Sequence, residues 1–199
     1  YESRVENNTH RVLDLLDEQC ARATFFILGC VAEGHPGLVQ AIQQRGHEVA
    51  SHGYSHRRIY TQTPEQFREE TRKAKKIVEE IIGRPVLGYR AASYSITDKS
   101  LWALEILAEE GFRYDSSIFP VRHDSYGIPG HQRFSCKVER NGSGTILEIP
   151  LSTVRLGGVN IPVAGGGYLR LFPYSITRQA LLRLNQRERQ PAVVYFHPW

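Results

Sequence analysis

The sequence predicts an α/β protein whose strands run parallel and are joined by helical crossovers. Three observations carry that expectation. Short apolar runs alternate with longer amphipathic stretches. The helical stretches are bounded by start and stop residues: Pro36 and Gly46, Thr63 and Gly83, Thr97 and Gly111. Polar side chains recur directly after the apolar runs, the place where an α/β barrel builds its active site.

Taken in order, residues 5–19 read as a helix with Val5, Val12, Leu13, Leu15 and Leu16 as its apolar stripe. Asn7, Asn8 or Thr9 is its expected cap. Residues 23–28 are aromatic and β-branched and form a buried strand. Pro36 opens a helix through Gln44 that Gly46 closes. Residues 48–51 are a short strand. Thr63-Pro64-Glu65-Gln66 is a capping box for a long helix ending at Gly83. Residues 85–90 form the next strand, Thr97 caps a helix through Glu110, and residues 112–115 are a strand again. From 118 to 162 the regularity lapses, apart from a hairpin that turns after Val138 and returns over 145–149. Gly165-Gly166-Gly167-Tyr168 reads as a loop, for a tight turn or close substrate approach. Ser175 caps a last helix to about Arg189, and residues 192–197 form a final buried strand.

A chain of 199 residues, 41% apolar and 23% charged, suits one domain over 1–199. No apolar run approaches the about 20 residues needed to cross a bilayer. The net charge of +4 is modest, and Arg72-Lys73-Ala74-Lys75-Lys76 shares its helix with several Glu. That cluster reads as a solvated face, and no nucleic-acid partner is expected. Cys20, Cys30 and Cys136 form no C-x-x-C pair, which argues for free thiols. The chain holds no Met, begins at Tyr1-Glu2-Ser3-Arg4 and stops at Trp199 directly after an apolar run. It is expected to be a piece of a longer protein.

The stretch Ser51-His52-Gly53-Tyr54-Ser55-His56 is the most informative. Two imidazoles four residues apart can share one face of a helical turn and hold a divalent ion. Gly53 permits close approach to that face. The spacing alone is weak, because eight His produce such a pair by chance about 0.3 times. The remaining strand ends add weight: His52, His56, Arg90, Asp115 and His197 would all lie on one rim. His10, His35, His47, His123 and His131 are expected at the surface or in loops.

Several of these segments resemble the ordered motifs of the polysaccharide deacetylases, the NodB-homology domains of carbohydrate esterase family four. They are Thr24-Phe25-Phe26, Gly46 to His56, Arg90-Ala91-Ala92-Ser93-Tyr94 and Tyr195-Phe196-His197. Tyr114-Asp115-Ser116-Ser117, Gly165 to Tyr168 and His197-Pro198-Trp199 resemble a subgroup found with exopolysaccharide biosynthesis loci.

The resemblance implies a distorted (β/α) barrel of about seven parallel strands, with the first strand missing from this chain. It implies hydrolysis of an N-acetyl amide on a polysaccharide or oligosaccharide, with zinc or another divalent ion held by His52, His56 and an Asp. It makes His197 the general acid, Arg90 the partner of the base carboxylate, and Asp115 a hydrogen-bond partner of the acid. It places a backbone N–H near Ser93 or Tyr94 at the oxyanion, and Gly166, Tyr168 and Trp199 against the sugar.

Two departures stand out. The family's first motif, which supplies the third ligand and the base, is absent, with only Glu2 and Glu6 nearby. Ala92 stands where Pro is common. Metal binding and catalysis are therefore expected to be weakened in this chain. The rivals are a cyclic amide hydrolase of the allantoinase type and an inactive carbohydrate-binding relative.

Overall fold

Two glycines in the left-handed region, Gly46 (φ 79°) and Gly83 (φ 66°), end the helices the sequence marks most clearly. The first, α3 (Pro36–Gln44), starts on its proline. The second, α4 (Pro64–Ile82), has both halves of its capping box. Gln66 N donates to Thr63 Oγ1 at 3.3 Å, and Thr63 N donates to Gln66 Oε1 at 3.1 Å. Phe67, Thr71, Ala74, Val78 and Ile82 are its buried stripe, three or four residues apart as one helical face requires.

The computed structural model describes residues 4–140, 144–163 and 165–198. Their core is a six-stranded sheet in the order β1-β2-β3-β4-β6-β5. The strands are β1 (Thr24–Ile27), β2 (Glu48–Ser51), β3 (Gly88–Tyr89), β4 (Tyr114–Asp115), β5 (Cys136–Arg140) and β6 (Gly144–Glu148). All neighbours pair in parallel except β5, which returns antiparallel beside β6. The α/β class and parallel sheet are as expected. The strand count differs, with five parallel strands and one antiparallel edge among the described residues. Around this sheet pack α1 (Val5–Glu18), α2 (Gly29–Gly34), α3, α4 and α5 (Trp102–Glu109). Leu13, Ile42, Phe67, Tyr89 and Leu104 lie in the resulting core, each almost fully buried.

Several local expectations are corrected. α1 begins after Arg4, ahead of the Asn-Asn-Thr run, and has no side-chain cap. α5 begins at Trp102, because Ser100 Oγ accepts Thr97 N at 2.9 Å and holds a turn there. Short α2 has no clear sequence signal. Its Gly29 packs so tightly on α4 that a Cβ would sit 2.7 Å from Tyr54 Cδ2 and 3.0 Å from Ala74 Cα.

The C-terminal third adds a two-stranded antiparallel hairpin, β7 (Thr153–Leu156) with β8 (Val159–Pro162), in the stretch expected to be irregular. Its turn residues Gly157 (φ 56°) and Gly158 (φ 84°) suit a tight two-residue loop. The glycine run opens a helix, α6 (Gly166–Leu171), instead of a loop. The last helix is α7 (Tyr174–Leu182), which widens into a π-helical turn over Arg183–Arg187. The expected final strand over 192–197 does not form. Val193 N donates to Ser152 Oγ at 2.7 Å, not to a strand, and Val194 and Phe196 are exposed.

Candidate active site

The parallel register sets the site. Ser51 at the end of β2 pairs with Ile27 of β1 and Tyr89 of β3, so the residues that follow all leave the sheet at one end. His52 is anchored there by its own N–H, which donates to Ile27 O at 2.8 Å. The expected helical turn is absent. Positive φ at Gly53 (78°) and His56 (59°) curls residues 52–56 into a bend that brings the two rings to 5.1 Å between centroids.

His52 Nδ1 lies 2.6 Å from Arg90 O. A carbonyl only accepts, so Nδ1 carries the proton and Nε2 presents its lone pair. Burial, opposed by that hydrogen bond and aided by the charges of His56, Arg90 and His197, holds the His52 pKa down to about 4. The ring is therefore neutral near pH 7, as a metal ligand must be.

Arg90 is fixed by a fork of donors. Its Nε donates to Ser116 O at 3.0 Å and its Nη2 to Ser116 Oγ at 2.7 Å. Its guanidinium lies 4.1 Å from the Phe26 ring centroid. Burial pulls its pKa below the ordinary value, while Tyr94 and Asp115 oppose that. No salt bridge to Arg90 forms among the described residues.

His197 joins this group from the far end of the chain. Its ring packs against Tyr195 at 5.8 Å, and a Cβ on Gly166 would touch its Cδ2 at 3.5 Å. Desolvation lowers its pKa, followed by the charges of His56, Arg90 and Arg170. The sequence-nominated His52, His56, Arg90 and His197 thus sense one another electrostatically.

The sequence pattern described as "Polysaccharide deacetylase" matches residues 1–114, more than half the chain. The chain belongs to the polysaccharide deacetylase family. A second pattern, a domain of unknown function (DUF3473), matches residues 116–199. A peptidoglycan-N-acetylglucosamine deacetylase from Bacillus cereus is 32% identical over 98 residues, 49% of this chain and 36% of that protein. The chain thus aligns with little more than a third of that relative's length. In fold, it resembles a Mycobacterium smegmatis protein assigned to the polysaccharide deacetylases, with TM-score 0.70 and 23% identity over 96% of this chain and 63% of the other. It also resembles a CE4 family pseudoenzyme from Bacillus anthracis, with TM-score 0.58 and 16% identity over 98% of this chain and 51% of the other. This family member shares with them a mostly parallel α/β distorted-barrel fold.

Several other nominated residues of this deacetylase-family chain are engaged with neighbours of their own. Asp115 is fully buried, and both its oxygens accept from Ser117, Oδ1 from Oγ at 2.5 Å and Oδ2 from N–H at 3.1 Å. The hydrogen bond expected between Asp115 and His197 is not among these. Tyr94 is buried in an aromatic cluster with Phe119, Tyr126 and Tyr195, so its ring serves packing more than substrate contact. Tyr94 N donates to Ala91 O at 3.2 Å, leaving Ser93 as the remaining oxyanion candidate of that pair. Ser93 and Tyr94 both hold φ 52°, a strained bend of the kind found at functional loops. Tyr168 is half-buried with its hydroxyl 3.4 Å from that of Tyr126. Trp199 and Glu2 lie outside the described residues.

Sequence reasoning missed four contributors. Phe26 and Ser116 hold Arg90, Tyr195 supports His197, and Glu148 faces Asp115. The first three sit inside quoted motifs, whereas Glu148 carries no local signal. His47, expected at the surface, is buried, with Nδ1 accepting Ala23 N at 3.4 Å and Nε2 unpartnered.

The two imidazoles are the right kind of donor for a borderline divalent ion. A catalytic zinc site takes three protein ligands. Among the described residues no group of three His, Cys, Asp or Glu stands together. The described donors, His52 and His56, supply two of the three protein ligands such a centre takes.

Proposed function

We propose that this chain is the deacetylase domain of a metal-dependent hydrolase that removes N-acetyl groups from a polysaccharide and releases acetate. The observation that carries the reading is the Nδ1···O contact from His52 to Arg90. It fixes a neutral imidazole beside His56 at the end of the parallel strands where Arg90 and His197 also gather. The exopolysaccharide association rests on the Tyr114 to Ser117 and Gly165 to Tyr168 motifs. A single unit over 1–199 is supported by β4, which pairs with β3 on one side and β6 on the other across the junction of the two sequence patterns.

In the reaction, water adds to the acetyl carbon, the C–N bond breaks and the amine leaves with a proton. A divalent ion, zinc by family resemblance, would supply Lewis acidity, with His52 and His56 as two of its ligands. His197 would carry the proton to the departing nitrogen, because an amine leaves poorly without one. Arg90 supplies positive charge beside the imidazoles. The backbone N–H of Ser93 is the chain's donor to the oxyanion, a contribution of about 3 kcal/mol in comparable sites. Gly166 leaves room beside His197, and Tyr168 with Trp199 would offer flat faces to a sugar ring.

The test is acetate release from chitooligosaccharides with added zinc, run beside a zinc titration by calorimetry. Acetate release that His197→Ala abolishes supports the reading. A second reading, a catalytically inactive carbohydrate-binding relative, draws on the lack of any salt bridge to Arg90 among the described residues. Saturable oligosaccharide binding without acetate release would select it. With two of three ligands described, zinc binding is expected to be weak. Tight one-to-one binding lost in His52→Ala would show that two imidazoles suffice.

A further inference from the structure

The chain's positive charge is unevenly placed. Residues 149–187 contain five arginines, Arg155, Arg170, Arg178, Arg183 and Arg187, and no Asp or Glu. The whole chain has 25 basic and 21 acidic side chains, so everything outside that segment has 20 against 21. Its entire net charge of +4 therefore arises there. The first carboxylate beyond it, Glu188, is taken by Arg133 at 2.7 Å and Arg183 at 3.6 Å. Arg155, Arg170, Arg178 and Arg187 are exposed and form no salt bridge among the described residues.

The same segment exposes apolar side chains. Tyr174 (79%), Leu171 (71%), Leu156 (68%) and Val159 (61%) are the most exposed large apolar residues among those described. Leu156 and Val159 flank the Gly157–Gly158 turn of the β7–β8 hairpin, and Leu171 and Tyr174 form the corner between α6 and α7. A groove of about 650 Å³ connects the two, walled by Leu156, Phe172 and Ile176 and edged by Arg155 and Arg187. None of its lining residues belongs to the candidate active site.

We propose that this face docks the protein on a membrane surface containing anionic lipids. The hairpin tip and the helix corner enter the boundary between headgroups and acyl chains, and the arginines meet lipid phosphates. Apolar tips beside arginines that form no salt bridge among the described residues suit that boundary, which offers apolar depth and negative charge together. Charge selects against a second copy of this chain, because a twofold contact would set uncompensated arginines against their own kind. No described helix is long and apolar enough to span a bilayer, so the contact is peripheral.

Vesicle co-sedimentation of the full chain tests this, using phosphatidylcholine alone and phosphatidylcholine with about 30% phosphatidylglycerol. Binding is expected only to the anionic vesicles and should fade near about 0.5 M NaCl. Neutralising Arg155→Gln and Arg187→Gln together should weaken partitioning about 25-fold, near fivefold per arginine. Leu156→Ser with Val159→Ser should weaken it independently of salt. These positions are exposed, and circular dichroism checks that each variant folds. Equal binding to both vesicle types, no binding at low salt, or unchanged binding in both variants would overturn the proposal. So would a sedimenting dimer that Leu156→Ser dissolves, which would make the face a contact between copies. Deacetylase activity is not a readout, so this result stands apart from the functional reading.

Discussion

Asp115 and Glu148 are paired residues on neighbouring parallel strands, and both are fully buried. In parallel register their side chains project to one face of the sheet, so two carboxyls share a dry space. Glu148 Oε1 accepts Ile118 N at 2.9 Å, and its carboxyl lies within hydrogen-bonding reach of Asp115 once one of the two holds a proton. Burial raises both pKa values, and the charge of Asp115 raises that of Glu148 further. Two adjacent carboxyls cannot both ionise cheaply without water.

A pH dependence follows. The native state keeps a proton that the unfolded chain releases, so the pair stabilises fully below the ordinary carboxylate pKa. That stabilisation is lost as pH rises through the raised native value. Glu148→Gln keeps an acceptor for Ile118 N and removes the charge. Its melting temperature should fall less between about pH 5 and about pH 8 than that of the wild type. Equal slopes in thermal melts would refute the pairing.

Gly165 and Gly166 should respond differently to an added methyl. A Cβ at Gly165 would sit 2.2 Å from Tyr195 Cε1, an overlap that forces the ring to move. Gly165→Ala should cost about 1–3 kcal/mol in urea unfolding, the range for overpacking. At Gly166 the nearest atom is His197 Cδ2 at 3.5 Å, an ordinary contact, so Gly166→Ala should change stability little.

Arg90 depends on shape as much as on charge. Lysine would keep the charge but lose the fork to Ser116 and the stacking on Phe26. Arg90→Lys should lower stability by about 1.5–3 kcal/mol, the scale of hydrogen bonds from a charged group. Phe26→Leu should cost less and keep the fork. Chemical denaturation of the two variants separates the contributions.

Thr63→Ala removes one half of a formed capping box. The expected loss is about 1 kcal/mol, because one capping hydrogen bond goes. A larger loss would mean that the start of α4 does more than cap.

The sequence was most legible where a local rule decided the outcome. Pro36, Thr63 and Gly83 mark helix boundaries by their own backbone chemistry, and the structure follows them. His52, His56, Arg90 and His197 stood out because each follows a short apolar run, and their charges act on one another in the fold. Residues 192–197 misled, since an apolar β-branched run looks the same whether its N–H groups meet a strand or Ser152. The three glycines misled as well: Gly165 lies close against Tyr195 at the start of α6, a contact distant in sequence that no local window shows. Glu148 was invisible for a related reason. Its partner is set by the order of strands in the sheet, not by spacing along the chain.

The boundary between the two sequence patterns falls inside β4, a strand hydrogen-bonded on both flanks. Severing the polypeptide there would bare two raw sheet margins, each a template for unwanted association. The N-terminal portion would keep the imidazole pair yet forfeit His197, and the C-terminal portion would keep the reverse. Only halves produced together and allowed to find each other should bring His197 back beside the imidazole pair, which would make this strand a natural seam for a split-protein experiment.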